Sequence, residues 1–506
     1  MKKDFKILAG GSPFLGMLSL LLAGLLCLPG MLWSQSAANS GQVVGQVLDP
    51  SKAAVAGVQV TVRNKDTNLQ RTTTTDYAGR YAVTLLPLGS YTISVNAPGL
   101  QAGAQEVYLT LGSTITANFD MSMQPMSASL EVTAQELTLE PTRPAPKSIL
   151  TDLQIHNLPS NGRRLQNLVI QTPTALIEPE CRGYSVSGQK GIYGNVSIDG
   201  GDYNSTWSCG LRGRSESAPT FGLEALREIH VVRNTFSSEF GRSTGGQINM
   251  STKSGTNQFH GSSFYLVRDG SLSAEDAFAR SPIARVHQFG GSLGGPLIKD
   301  RTFFFTSPEF QDGSKPIQVI YPLLDSQGVR NTPAAQALLA VAPEGDFSAV
   351  SNSQSVINRI DHNFSEAHSL FGRFDFTRTY ATNSPGATTL STGLSLASTT
   401  NSAESFQTNL IDRNYTIMGQ FTSILSNSHL NELRLQFSRE IRPRAPQGVG
   451  PQVNVSNSGS TVAIYWPQAT GLSWGNVGFA STDNRYHFVD NFSIVSGAHT
   501  TKFGVD

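Results

Sequence analysis

Three cysteines in 506 residues exclude a disulfide-built scaffold and a cysteine-rich metal framework. Charge is scarce as well. Only 15% of residues are charged, and Lys plus Arg equals Asp plus Glu at 37 each, so no global field recruits nucleic acid or an anionic membrane surface. After residue 36 no apolar run is long enough for a membrane-spanning helix. Any passage through a bilayer must therefore be made by strands.

What is present begins with "MKKDFKILAGGSPFLGMLSLLLAGLLCLPGMLWSQSAANS": early lysines, an apolar run, then small residues. This is the grammar of a secretory leader over residues 1–36, with cleavage expected after Ser36 or Ala38. A retained anchor over Phe14–Trp33 is the alternative. Cys27 follows Leu26 rather than a small residue, which argues against a lipid-anchored cysteine. Removal of the leader leaves Cys181 and Cys209, an even number in an oxidising compartment, so a disulfide is expected and a metal site is not.

Residues 41–122 alternate short Val, Thr and Tyr runs with the turn signals "LDPSKA", "NKDTN", "TDYAG" and "PLGS", the spacing of an all-β sandwich. In "VQVTV", Val58, Val60 and Val62 fall on one face and Gln59 and Thr61 on the other. No paired carboxylates or nucleophile with a neighbouring base occur here, so no catalysis is expected. Through "GQVLDPSKAAVAGVQVTV" and "TTTDYAGRYAVTLLPLGSYTISVNAPGL" the segment resembles the carboxypeptidase regulatory-like family, a transthyretin-like sandwich. That resemblance implies no peptidase activity and leaves carbohydrate binding open. Residues 123–147 form a proline-punctuated linker. Inside it "SLEVTA" (Ser129, Leu130, Glu131, Val132, Thr133, Ala134) is extended-prone and suited to pairing with a partner's edge strand.

Residues 148–256 mix helical and strand patterns, and a compact α+β domain is expected. The glycine-rich "EFGRSTGGQINMSTKSGTNQFHGS" closes it. Gln247 stands where a phosphate loop needs lysine. The pieces "SGQK" (Ser187–Lys190) and "KSG" (Lys253–Gly255) lie too close together for a penicillin-recognising serine site. A structural role remains, with Gly241, Gly245 and Gly246 permitting close backbone approach or positive φ.

Residues 257–506 carry the most informative periodicity. "SLFGRFDFTRTY" sets Leu370, Phe374, Phe376 and Tyr380 against Arg373, Asp375, Thr377 and Thr379. "NELRLQFSRE" sets Leu433, Leu435 and Phe437 against Glu432, Arg434, Gln436 and Ser438. Such strands suit a barrel wall with lipid outside and water inside. The pattern predicts strands near 258–268, 285–298, 302–312, 352–363, 368–380, 406–424, 429–441, 485–496 and 499–506. Their connections alternate short ("KDR", "SEAH", "NSH", "SGAH") with long (313–351, 381–405, 442–484), as in outer-membrane barrels.

"LREIHVVRNTFSSEFGRSTGGQINMSTKSGTNQFHGSSFYLVRD", "LPSNGRRLQNLVIQTP", "SVSGQKGIYGNVSIDGGDYN" and "HQFGGSLGGPLIKDRTFFFTSPEF" together resemble TonB-dependent outer-membrane receptors that carry an N-terminal regulatory-like sandwich. The resemblance implies a mainly β chain: sandwich, α+β plug (148–256) and the first part of a transmembrane antiparallel barrel (257–506). It implies an importer, not an enzyme, with no cofactor, placed in the outer membrane lipid. Its partners would be a TonB-type energy-coupling protein docking on Ser129–Ala134 and a siderophore, carbohydrate or peptide ligand; no nucleic acid is expected. Arg182, Tyr184, Tyr203, Trp207 and Arg212, bracketed by Cys181 and Cys209, are the expected ligand contacts at an exposed apex. Such receptors close with about 22 strands, so the strands here lead us to expect a C-terminally truncated chain. A carbohydrate-binding surface protein and a passive porin or adhesin are the competing readings.

Overall fold

The computed structural model describes residues 40–97, 103–121, 132–134, 147–178, 183–205, 221–233, 241, 243–272, 274, 285–319, 324–325, 328, 330–341, 343–384, 399–400, 408–426, 428–446, 453–457, 460–464, 480–496 and 499–506. The leader, Cys27, Cys181 and Cys209 lie outside them.

Strands β1 (Gly41–Leu48), β2 (Gln59–Asn64), β3 (Gln70–Thr74), β4 (Arg80–Leu86), β5 (Gly89–Asn96), β6 (Gly103–Leu109), β7 (Thr114–Thr116) and β8 (Phe119–Asp120) form two sheets. One places β1 between β4 and the short β7 and β8; the other runs β3-β2-β5-β6. Val58, Val60 and Val62 face inward and join Tyr91, Ile93 and Leu109 in a shared core. The turn signals act through side chains. Asp76 Oδ1 accepts the N–H groups of Ala78 and Arg80, both at 2.8 Å, beside Gly79 at φ 71°, a conformation glycine adopts without Cβ strain. A ninth strand, β9 (Val132–Ala134), adds in parallel to the β6 edge.

The α+β unit comprises β10 (Lys147–Thr151), β11 (Ala175–Ile177), β12 (Tyr184–Val186), β13 (Gly194–Ile198), β14 (Gly201–Asp202), β15 (Leu226–Val232) and β16 (Gly246–Thr252), with helices α1 (Asp152–Asn157) and α2 (Leu165–Val169). Gln154 Oε1 accepts the Thr151 N–H at 3.0 Å, and this bond helps start α1. The main sheet runs β10-β15-β16-β13-β14, and β16 is buried at every position. Its glycines answer the sequence question. Gly246 has φ 141°, and a Cβ there would come within 2.6 Å of Val186; one on Gly245 would come within 2.6 Å of Gln189 Cβ. Ser187 sits at φ 55° next to Gly188 at φ 78°, in a tight turn rather than at a helix start. Gly245 and Gly246 are therefore structural, whereas a Cβ on Gly241 would meet nothing within 4 Å, so the constraint expected there is not found.

The large sheet contains β17 (His260–Arg268), β18 (Arg285–Ile298), β19 (Thr302–Val319), β20 (Gly345–Asn363), β21 (His368–Ser384), β22 (Thr399–Thr400), β23 (Thr408–Ser426), β24 (His429–Pro446), β27 (Ala480–Ser496) and β28 (His499–Val505). Helix α3 (Pro333–Val341) precedes β20, and a hairpin of β25 (Val453–Asn457) and β26 (Ser460–Ile464) precedes β27. Neighbours follow chain order, β17-β18-β19-β20-β21-β23-β24-β27-β28, with β22 beside β19. All nine predicted strands are present, but several run further than expected. The ladder of β19 with β20 continues to Val319↔Gly345 and that of β23 with β24 to Thr408↔Pro446. The long connections therefore start after 319, 384 and 446. Apolar alternation is required only across the lipid band, so the pattern fades while the backbone pairing continues.

Burial in this sheet is inverted relative to a water-soluble protein. Arg373 and Arg434 are each 3% exposed, Glu432 2% and Asp375 0%, whereas Leu435 is 53% and Ile417 58% exposed. Charges face the α+β unit and hydrocarbon points away from it. That arrangement is stable where the outer medium is lipid.

Candidate functional site

The hairpin joining β13 to β14 reaches from the α+β unit to the inner face of the large sheet. Its turn, Asp199-Gly200, has φ 49° and 78°, the double positive φ that an Asp-Gly pair accommodates. Asp199 is fully buried. It accepts the Thr252 N–H at 2.9 Å and the Thr252 hydroxyl at 2.8 Å, and pairs with Arg373 at 2.5 Å and Arg359 at 3.4 Å. Burial pushes its carboxyl up, but the two guanidiniums and the Thr252 bonds outweigh this and hold it below its ordinary value.

The wall reads the hairpin backbone as well. Arg373 donates to Ile198 O at 3.0 Å, Arg434 to Gly200 O at 3.1 Å and Gln436 to Asp202 O at 2.8 Å, while Arg485 pairs with the Asp202 carboxylate. Glycine is required for this approach. A Cβ on Gly200 would lie 2.5 Å from Arg434 Cζ, and one on Gly201 1.9 Å from Gln436 Oε1. Four wall arginines are each held by an acid two residues away on the same face: Arg359–Asp361 at 2.7 Å, Arg373–Asp375 at 2.8 Å, Arg434–Glu432 at 2.6 Å and Arg442–Glu440 at 2.6 Å. These acids offset the four guanidinium charges locally and hold the donors in position.

A second node joins the first helix to the first wall strand. Glu224 pairs with Arg163 at 2.9 Å and His156 at 3.1 Å and accepts the Ser262 hydroxyl at 2.7 Å; Arg163 also lies 4.2 Å from the Phe264 ring centre. His156 is pushed up to about 10 by its bonds to Asp152 and Glu224. Burial raises Asp152 and Glu224, but hydrogen bonds and nearby cations win and hold each at about 2. The histidine's stabilisation is therefore full below about pH 6.5 and fades as pH rises through about 10. The carboxylates' share is full above about pH 4.5 and fades as pH falls through about 2. Calorimetric unfolding is expected to show this node strongest between about pH 4.5 and 6.5. His156→Gln should flatten the alkaline limb and cost about 1 kcal/mol after solvent screening; an unchanged alkaline limb would remove His156 from the node.

The sandwich rests against the short-turn end of the wall. Asn68 Nδ2 donates to Asp300 Oδ1 at 2.7 Å, and Asn257 binds the same carboxylate at 2.7 Å and the Asp300 N–H at 2.8 Å. Asn257 N–H also donates to Asp66 O at 2.9 Å. Leu111 N–H donates to Glu228 Oε2 at 2.9 Å, and Leu85 packs on Leu430.

Two expected ligand contacts are corrected here. Tyr184 and Tyr203 are not exposed: they are 5% and 1% accessible, inside the α+β core, where Tyr203 meets Phe221 edge-on at 6.0 Å. Their polar neighbours in sequence suggest the surface, but Tyr184 points inward by alternation along β12, and Tyr203 follows the buried Gly201-Asp202 pair into the core. Arg182, Trp207 and Arg212 lie outside the described residues, as do Ser129, Leu130 and Glu131. Val132, Thr133 and Ala134 form β9. The residues that sequence reasoning passed over as a site are Asp199, Asp202, Arg359 and Arg485. The signals that could have found them were the "DGGD" turn and the acid-arginine pairs at i, i+2.

Family models now complete the geometry. The outer membrane beta barrel domain matches residues 251–328 and 315–506, half of the chain. The chain belongs to this outer membrane β-barrel family. It resides in the outer membrane, and residues 42–122 match the carboxypeptidase regulatory-like domain. The chain is 26% identical over 309 residues to the TonB-dependent transporter Oar of Myxococcus xanthus, which covers 57% of this chain and 28% of that protein. Solved structures similar to it include the outer membrane transporter YddB from Escherichia coli (TM-score 0.49, 11% identity, 71% of this chain, 47% of that one). Another is the ferric enterobactin receptor PfeA from Pseudomonas aeruginosa (TM-score 0.47, 15% identity, 72% and 49%). The chain thus spans 28% of the length of the curated relative it matches.

Proposed function

We propose that this chain is part of a TonB-dependent importer, in which the α+β unit is a plug seated in a barrel wall and Ser129–Ala134 is the point where an energy-coupling protein pulls. The observation that carries this reading is the buried hairpin 198–202, keyed by Asp199, Gly200 and Asp202 to arginines on four strands whose outer faces are hydrocarbon. A passive pore has no use for a stopper held this way. The linker after Ala134 leads to β10, which among the described residues is an edge strand of the plug sheet paired only with β15, and then to α1 with His156. Tension on the linker would load β10 and the Glu224 node before reaching the Asp199 hairpin. An edge strand can peel from its neighbour one residue pair at a time.

Ligand contact by Arg182, Trp207 and Arg212, and a Cys181–Cys209 staple beside them, belong to the same proposal. The cargo would be a siderophore, a carbohydrate or a peptide. The chain, purified in detergent, is expected to bind the periplasmic domain of TonB, and deletion of residues 129–134 should reduce that binding at least about tenfold, the loss expected when a main strand-pairing segment is removed. Undiminished binding after the deletion would overturn the assignment and favour a passive barrel. Retention of glycans by the sandwich with no TonB binding would favour a surface carbohydrate binder.

A further inference from the structure

Three residues of the segment proposed to engage a partner's strand are already engaged. Val132, Thr133 and Ala134 pair in parallel with Ala104, Gln105 and Glu106, extending the β3-β2-β5-β6 sheet by one strand. We infer that the edge strand β6 of the N-terminal sandwich is a docking site for the chain's own coupling segment, so that the sandwich and the energy-coupling protein compete for the same backbone. This rests on the import reading above.

The argument is one of hydrogen-bonding groups. An extended segment offers a limited row of N–H and C=O groups, and those turned toward β6 cannot also pair with another strand. The β6 edge has equal reason to take an occupant, because a bare edge is a template for foreign strands. The β6 edge is also fixed in place. Lys65 pairs with Glu106 at 2.9 Å and Gln105 donates to Asn118 O at 2.7 Å, while the sandwich is held to the barrel turns through Asn68, Asp300 and Asn257. Three residue pairs in a parallel ladder are the weaker joint. Release of the segment should therefore precede any displacement of the sandwich, and a docked sandwich keeps the segment beneath the barrel rather than loose.

Apparent affinity for the coupling protein then scales with the fraction of molecules whose segment is free. Cysteines at register partners, Gln105→Cys with Thr133→Cys, read this in the whole chain in detergent. A second pair, Glu106→Cys with Ala134→Cys, guards against a local failure of the first. Oxidation should form the mapped 105–133 disulfide and weaken binding of the TonB periplasmic domain at least about tenfold, as trapping the closed form requires; reduction of the same sample should restore it. No crosslink in either pair, or a crosslink that leaves binding unchanged while deletion of 129–134 abolishes it, overturns the inference and leaves the import reading intact. If the deletion itself leaves binding unchanged, the import reading fails and takes the competition with it, while the crosslink still reports the pairing.

Discussion

Replacing Arg373 by alanine is expected to weaken the attachment of the α+β unit to the wall by about 3–5 kcal/mol, the usual cost of removing one partner from a buried ion pair. Arg373 is 3% exposed and Asp199 0%, so neither charge has water to fall back on. The substitution removes the nearest counter-charge of two carboxylates at once, Asp199 at 2.5 Å and Asp375 at 2.8 Å, and the donor to Ile198 O. Arg359 cannot take over, since it sits at 3.4 Å from Asp199 and is committed to Asp361 at 2.7 Å. Adding Asp199→Asn should recover part of the loss, because the amide needs no counter-charge. The measurement is a double-variant cycle on urea-induced release of the plug, followed by protease access to residues 148–256. Additive losses, with a coupling below about 0.5 kcal/mol, would show that the Asp199–Arg373 contact does not hold the plug.

How far the fold could be read from the residues depended on the medium each face meets. The wall is legible because lipid enforces alternation: Leu433, Leu435 and Phe437 against Glu432, Arg434 and Gln436 put charge repeatedly at the centre of one face, which a soluble sandwich rarely does. The same logic explains the extra length of β19, β23 and β24. Beyond the lipid band the outward face is free to be polar, and "QDGSKPIQV" carries no periodic signal although its backbone stays paired to β20. The site was legible only in its parts. Asp199-Gly200 announces a tight turn, and Arg373 and Asp375 announce an inward polar face, but nothing local states that residues 174 positions apart meet. Tyr184 and Tyr203 failed for the opposite reason. Local polarity implies exposure, whereas both rings fill the core of the α+β unit, Tyr203 against Phe221. Within the extended-prone Ser129–Ala134, residues Val132–Ala134 are a strand, but their pairing with β6 depends on the sandwich edge lying beside them, which no stretch of linker sequence encodes.

The outer face decides whether the inverted burial is a membrane adaptation, and Leu435→Arg tests it. Leu435 is 53% exposed, as is Ile417 at 58% in the neighbouring strand, and it stands opposite Gly419 on β23 and Phe488 on β27. On a water-facing surface such a change is close to neutral, within about 0.5 kcal/mol. On a lipid face near the bilayer midplane it costs about 2–4 kcal/mol. The two environments therefore predict outcomes that differ well beyond error. The expected result is a loss in the upper range in unfolding titrations from lipid vesicles, falling toward zero for a substitution nearer the band's edge, such as Phe503→Arg on β28. Gln436→Leu, one residue along and on the inner face, should instead act through loss of its bond to Asp202 O at 2.8 Å, loosening the plug without disturbing membrane insertion. A neutral Leu435→Arg in vesicles would mean that the hydrocarbon face does not meet lipid. The arginine-lined inner face would then be the core of a different kind of assembly.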